Sequence, residues 1–350
     1  MDHKDRWVFL FIQVVPCSYR CKHCFFAPSK KYKAISYERI IDMLQPFVDF
    51  RGSKKSPYGN IAVHLGDCAL NHLNLPELVA YMKPLNIDGW LSIASNGFRR
   101  RTVEQWQAYL AALREAGTEY LEFTLYGRQA THDWFAGRQG SHTAIHSLAK
   151  MWRETGGKSA WSLVVHKHNL AELGQIRDEI GENYQAECPV WLWSYAGWGA
   201  GANELRIEQK DLEQLDLAIQ AELSHVKTEA GWAEELSGAD DPAFSNDPQV
   251  MRIVVDSSRQ VKIPYTKVSG GHDGLSCDCL ATDAVEDIMI KWQKAYEAWQ
   301  ASYPSIGQLC QKYSDEKSEK LYDKGSVIRK WSGAFEDEHR ETHYAVYSTE

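Results

Sequence analysis

No run in this 350-residue sequence is long and apolar enough to span a bilayer. The longest near the start, Trp7 to Val15, is interrupted by Gln13 and falls well short of the roughly 20 residues required. No small-residue cleavage site follows it, which excludes a secretory signal. Positive charge is in deficit, with 39 Lys and Arg against 47 Asp and Glu and a net charge of −8. The basic clusters, Lys30-Lys31 and Arg99-Arg100-Arg101, are too short to coat a nucleic acid. Repeats and low-complexity tracts are missing too, so a solenoid is excluded. A globular, cytoplasmic protein is expected, bound neither to membrane nor to nucleic acid. Its eight cysteines are then thiols or metal ligands rather than disulfides.

What is present is an alternation of two periods. Short β-branched or apolar runs recur over 8–15, 60–65, 90–95, 120–125, 160–166 and 190–194. Helical-period segments fill the gaps, over 36–49, 75–83, 102–116, 141–155 and 169–180. In the first helix Ile40, Ile41, Leu44, Phe47 and Val48 form one stripe, Ser36 can cap it, and Ile35 with Ile40 has staple spacing. Gly117 and Asn169 stand where a C-cap and an N-cap are expected. Strands alternating with helices predict an α/β fold with a parallel sheet, either doubly wound or curled into a whole or partial barrel. In each case the chemistry belongs at the strand C-terminal ends.

From about residue 201 the pattern changes. It predicts a helix over 203–223, an aperiodic acidic stretch over 225–247, and a hairpin of 251–256 and 260–264. A Gly-rich loop, a long helix over 284–301 and further helix to about 335 follow, and the charged tail after 336 is expected to be mobile. The expected division is a core over 1–205 and a small α+β module over 206–350.

Directly after the first apolar run comes Cys17-Ser18-Tyr19-Arg20-Cys21-Lys22-His23-Cys24, a C-x3-C-x2-C loop. Coincidence and a zinc site are the plain alternatives. Zinc wants a fourth ligand at finger-like spacing, however, and His23 lies inside the loop. Three thiolates can instead hold three irons of a 4Fe–4S cluster and leave the fourth open to a chelating ligand.

With these motifs, residues 6 to 200 resemble the radical S-adenosylmethionine (radical SAM) enzymes. The cysteine loop follows the first strand, as it does in that family. His64-Leu65-Gly66-Asp67 is similar to the family's Gly-Gly-Glu motif, with Leu for Gly and a shorter carboxylate. Ser95-Asn96-Gly97 is similar to its Thr-Asn-Gly, and Glu122 with Thr124 to its polar strand facing SAM. Thr131-His132-Asp133 and the turn from Gly137 to Ser141 also look family-like, although Arg138 is displaced from the usual arginine position.

The resemblance implies a partial (βα)6 barrel and a 4Fe–4S cluster on Cys17, Cys21 and Cys24. It further implies SAM contacts at Gly66, Asp67, Ser95, Asn96, Glu122, Thr124 and Arg138. A reductant such as flavodoxin or ferredoxin would supply the electron that cleaves SAM to a 5′-deoxyadenosyl radical. Structural roles compete with these assignments. Glu122 can be a satisfied buried carboxylate, and His64, His132, His166 and His168 can be hydrogen-bond partners. Trp191, Trp193 and Trp198 can line a pocket or simply pack the core.

The region after 250 loosely resembles the twitch or SPASM module of the same superfamily. Cys188, Cys277, Cys279 and Cys310 are therefore candidates for a second iron–sulfur cluster. Cys277 and Cys279 are alternatively candidate hydrogen-atom donors, or all four are inert packing; Cys68, beside Asp67, is either near SAM or a small buried residue. The first apolar run lies close to the start of the sequence, which favours a small-molecule substrate (a sugar, aminocyclitol or nucleoside) undergoing dehydrogenation or epimerisation. A ribosomal peptide substrate is the alternative, and a non-catalytic iron–sulfur protein the remote one.

Overall fold

The computed structural model of the chain describes residues 6–24, 34–51, 58–66, 68–85, 87–88, 92–95, 101–193, 195, 202–241, 250–255, 259–264, 274–301 and 303–339. Its first half follows the predicted alternation. Strand β1 (Trp7–Ile12) sends Val8, Leu10 and Ile12 into the core. Helix α1 (Tyr37–Arg51) begins where the Ser36 hydroxyl accepts from the Arg39 amide, and both staple residues, Ile35 and Ile40, are buried. Strand β2 (Asn60–His64), helix α2 (Leu75–Met82), strand β3 (Ile87–Asp88) and strand β4 (Ser92–Ser95) follow. Helix α3 (Val103–Ala116) opens with a Thr102–Gln105 capping box and closes at Gly117, φ +125°. Strand β5 (Tyr120–Leu125), helices α4 (Gln129–Ala136) and α5 (Ser141–Glu154), strand β6 (Lys158–Val164), helix α6 (Leu173–Tyr184) and strand β7 (Val190–Trp191) complete the half.

The sheet is an open, partial barrel. Strands β1, β2 and β3 pair in parallel, and β4, β5, β6 and β7 form a second parallel run. Ile87–Asp88 adds to β2 while Ser92–Ser95 adds to β5, so the third barrel position is shared between two short strands. Asn169 does not cap a helix side chain to backbone. It ties strand ends together, donating to the Val164 and Tyr126 carbonyls and accepting from the His166 amide.

The second half departs more from expectation. The single helix expected over 203–223 is two short ones, α7 (Gln209–Leu212) and α8 (Leu217–Glu222), because Glu208 with Asp211 caps the first and Asp216 the second. The stretch expected to be aperiodic contains strand β8 (Lys227–Thr228) and helix α9 (Glu229–Leu236), capped by Thr228. The hairpin is present as β9 (Val250–Val255) and β10 (Gln260–Pro264), joined by a third strand β11 (Gly274–Leu280) and helix α10 (Val285–Ala301). Helix α11 (Ile306–Tyr313), strand β12 (Leu321–Tyr322) and helix α12 (Lys324–Glu338) end the described chain; the tail expected to be mobile lies largely outside the described residues.

The hairpin does not stand apart from the barrel. Strand β9 lies parallel to β1 in register Leu10 with Ile253, giving one sheet ordered β11-β10-β9-β1-β2-β3. One apolar core therefore runs from Val8 through the barrel to Cys277, Ile288 and Trp292, across the boundary expected at 205. A smaller core of Trp232, Leu236, Leu309, Cys310, Tyr322 and Trp331 holds α9, α11 and α12 together. Arg206 joins the smaller core to the cluster of Trp193, Tyr126 and Phe135. It is fully buried, with its guanidinium over the Trp193 and Tyr322 rings (4.8 and 4.5 Å) and hydrogen-bonded to the Trp193 and Leu321 carbonyls.

Candidate functional site

A cavity of about 490 Å³ opens at the C-terminal ends of the barrel strands. Cys17, Cys21 and Cys24 all line it, as do Cys68, His64, Ser95, Glu122, Thr124, His132 and Trp191. The strand period explains the β5 contribution: Leu121, Phe123 and Leu125 are buried, whereas Glu122 and Thr124 on the other face are accessible. Glu122 is thus not a buried carboxylate; its Oε1 accepts from the Ser92 hydroxyl at 2.5 Å while it faces the cavity. The Thr124 and Ser162 hydroxyls lie 3.4 Å apart on neighbouring strands.

Helix α4, which the periodicity did not reveal, seats the cysteine loop. The Arg20 and Lys22 amides donate to the Ala136 and Phe135 carbonyls at 3.0 and 2.9 Å. Gly137 ends the helix at φ +63°, and a Cβ there would lie 2.7 Å from the Arg20 carbonyl oxygen, so only glycine permits the approach. His23 sits among Tyr126, Phe135, Trp191 and Trp193, with ring centroids 5.2 to 6.5 Å away. The Asp133 carboxylate accepts from the Gly140 and His142 amides and the Ser141 hydroxyl, anchoring the start of α5.

The loop sulfurs receive hydrogen bonds. The Tyr19 amide donates to Cys17 Sγ at 3.4 Å, and the Tyr126 phenol is bonded to the Cys21 thiol. Burial and the nearby cysteines hold the phenols of Tyr126 and Tyr19 protonated far above their ordinary range. Among the described residues no three His, Cys, Asp or Glu side chains are grouped as ligands of a single metal ion.

Several expected site residues stand elsewhere. The Arg138 guanidinium donates to the Ser18 carbonyl at 3.1 Å, bracing the cysteine loop rather than lining the cavity. Asp67, Asn96 and Trp198 lie outside the described residues. Gly66 has φ +79° and lets the Gln13 side chain pass over it. His166 is fully buried and bonded to the Tyr126 carbonyl, a structural role, and Trp193 is fully buried beneath Arg206.

The four cysteines proposed for a second cluster do not converge. Cys188 is buried at the start of β7 beside Arg177 and Glu222, its thiol pushed up to about 12 by burial. Cys277 and Cys279 lie on strand β11, not in a loop, and pack in the core against α10; burial pushes the Cys279 thiol up to about 11. Cys310 belongs to the smaller core and donates to the Ala233 carbonyl. Neither Cys277 nor Cys279 lines the cavity, whereas Cys68 does. An apolar setting disfavours the thiolate that metal ligation needs.

Residues not singled out from the sequence also line the wall, among them Gln13, Tyr19, His23, Tyr126, Trp161 and Ser162. One carried a signal, because Gln13 is the polar interruption of the first apolar run. Among the described residues no helix is long and apolar enough to cross a membrane.

No protein-family model matches the sequence. It is 22% identical over 275 residues, 76% of this chain, to the Fe-coproporphyrin III synthase of Methanosarcina barkeri (strain Fusaro / DSM 804), of whose length the match spans 64%. The structure is similar to Streptococcus suis SuiB bound to precursor peptide SuiA, with TM-score 0.56 and 13% identity, covering 91% of this chain and 75% of that one. It is also similar to native anSMEcpe with bound AdoMet, with TM-score 0.54 and 13% identity, covering 97% of this chain and 99% of that one. At these identities the structural likenesses establish the fold.

Proposed function

We propose that this chain, which resembles the radical SAM superfamily in the order of its motifs and in its fold, is a radical SAM enzyme. One observation carries this reading: three thiols from a single loop open onto the cavity that the barrel strands line. Cys17, Cys21 and Cys24 would hold a 4Fe–4S cluster, and the adjoining cavity would hold SAM. Their setting suits the group. Donors from the Tyr19 amide and the Tyr126 phenol favour anionic sulfur, and a cluster spreads its irons rather than asking three ligands to meet at one ion. When bound, the pair supplies reductive cleavage of SAM to a 5′-deoxyadenosyl radical, which takes a hydrogen atom from a C–H bond of a second substrate.

The chain's own part is placement. Tyr126, Phe135 and the Trp191 and Trp193 rings pack around His23 and hold the loop in place. Glu122 and Thr124 offer hydrogen-bonding oxygens to a nucleoside on the strand face opposite the helices. A flavodoxin or ferredoxin is the proposed electron source.

The reading extends to a small-molecule substrate, with dehydrogenation or epimerisation as outcomes. For epimerisation Cys68 is the thiol placed at the cavity to return hydrogen, in place of Cys277 or Cys279. A peptide substrate is the second reading, supported by the likeness to SuiB in its complex with a precursor peptide. Anaerobic reduction of the iron-loaded protein with SAM tests the common core. It should release 5′-deoxyadenosine, and a Cys21→Ala variant should release none. A fully loaded wild type that yields none would overturn the reading.

A further inference from the structure

Among the buried polar atoms of the cavity wall without a hydrogen-bond partner in the protein, which include Trp161 Nε1, two flank the cysteine loop: Gln13 Oε1 and His132 Nε2. Their residues are only 6% and 1% exposed. An unmade hydrogen bond at such depth is destabilising, so these two beside the loop call for a ligand that completes them.

The geometry fixes what each offers. Gln13 Nε2 donates to the Val15 carbonyl at 2.6 Å, which leaves Oε1 as the outstanding acceptor. That oxygen stands over Gly66, where any Cβ would come within 2.2 Å of it. His132 Nδ1 accepts from the Tyr126 amide at 3.3 Å, so the ring proton is on Nε2 and the outstanding atom is a donor. Both lie at the thiol end of the cavity. Gln13 is four residues ahead of Cys17, and the His132 ring is 5.2 Å from the Tyr126 ring whose phenol bonds Cys21.

An acceptor and a donor flanking one loop match the amine and the carboxylate of an α-amino acid. We propose that Gln13 Oε1 and His132 Nε2–H grip the amino-acid head of SAM, Gln13 taking an amine N–H and His132 giving its N–H to a carboxylate oxygen. This rests on the SAM reading above and deepens it. It also answers two departures of this sequence: the carboxylate at Asp67 is one methylene shorter than a glutamate, and Arg138 is engaged with Ser18 outside the cavity.

Two probes test it by anaerobic equilibrium dialysis against iron-loaded protein: SAM, and 5′-methylthioadenosine, which keeps the nucleoside and lacks the amino-acid head. Gln13→Leu and His132→Phe should each weaken SAM about tenfold and leave methylthioadenosine unchanged. Gln13→Glu and His132→Asn, which retain an acceptor and a donor, should recover most of the SAM affinity. Equal weakening of both probes in the Leu and Phe variants, or unchanged SAM affinity, would overturn the grip. Failure of the wild type to bind SAM is a separate result, and it would remove the SAM reading itself.

Discussion

The cysteine loop and strand β11 both carry closely spaced cysteines, and the fold treats them in opposite ways. Cys17, Cys21 and Cys24 are half-buried and face a cavity, and the Cys17 and Cys21 sulfurs receive hydrogen bonds. Cys277 and Cys279 are buried against α10, and burial raises the Cys279 thiol to about 11. Spacing therefore nominates ligands, but the environment decides whether the thiolate is affordable. The loop is held by backbone bonds to α4, whereas the strand is held by its pairing with β10 and by apolar contact with α10.

The largest test of that contrast is iron. Replacing Cys17, Cys21 or Cys24 by Ala should abolish the bound cluster and 5′-deoxyadenosine release, read by iron analysis and product assay. Iron retained at wild-type level would erase the distinction between the two regions.

Acid should also separate them. Burial holds the His132 imidazole down at about 3 and those of His146 and His166 at about 4. The unfolded chain takes up these protons below about pH 6.5, so the stability they contribute is full above that value. It is lost as pH falls toward 4, by about 1.4 kcal/mol per pH unit for each histidine. Hydrogen exchange between pH 7 and 5 should therefore loosen α4, α5 and the loop before β9 to β11, and uniform loosening would contradict this assignment.

A smaller effect is expected at the seat of the loop. Gly137→Ala pushes a methyl against the Arg20 carbonyl at a positive φ and should cost about 1–2 kcal/mol, with weaker cluster retention. Unchanged melting and iron content would show that the close approach is dispensable. The smallest effect belongs to the strand. Cys279→Ala should lower stability by about 1 kcal/mol, measured by denaturant unfolding, with iron content unaffected. Loss of half the iron in that variant would instead restore a ligand role.

Much of the barrel was legible because its strands and helices carry strong periods. The six apolar runs appear as barrel strands, and the staple and cap residues of α1 and α3 act as expected. Helix α4 was not legible. Its eight residues give little more than two turns of pattern, and its caps, Arg128 and Gly137, provide no side-chain signal at the start. Strand β11 was not legible, because the Gly-rich approach to Cys277 and Cys279 hid its short period. Glu122 and Thr124 share one face of β5, as a strand's two-residue period requires.

Sequence alone determined the three-thiol loop, the alternation that makes a parallel sheet and the polar residue at position 13, since all three are set by local spacing. Only the tertiary structure decided which thiols stay accessible, that the hairpin completes the barrel sheet beside β1, and that Arg138 braces the loop from outside the cavity. These depend on contacts between segments more than a hundred residues apart, and local pattern carries no information about which distant surface a side chain will meet.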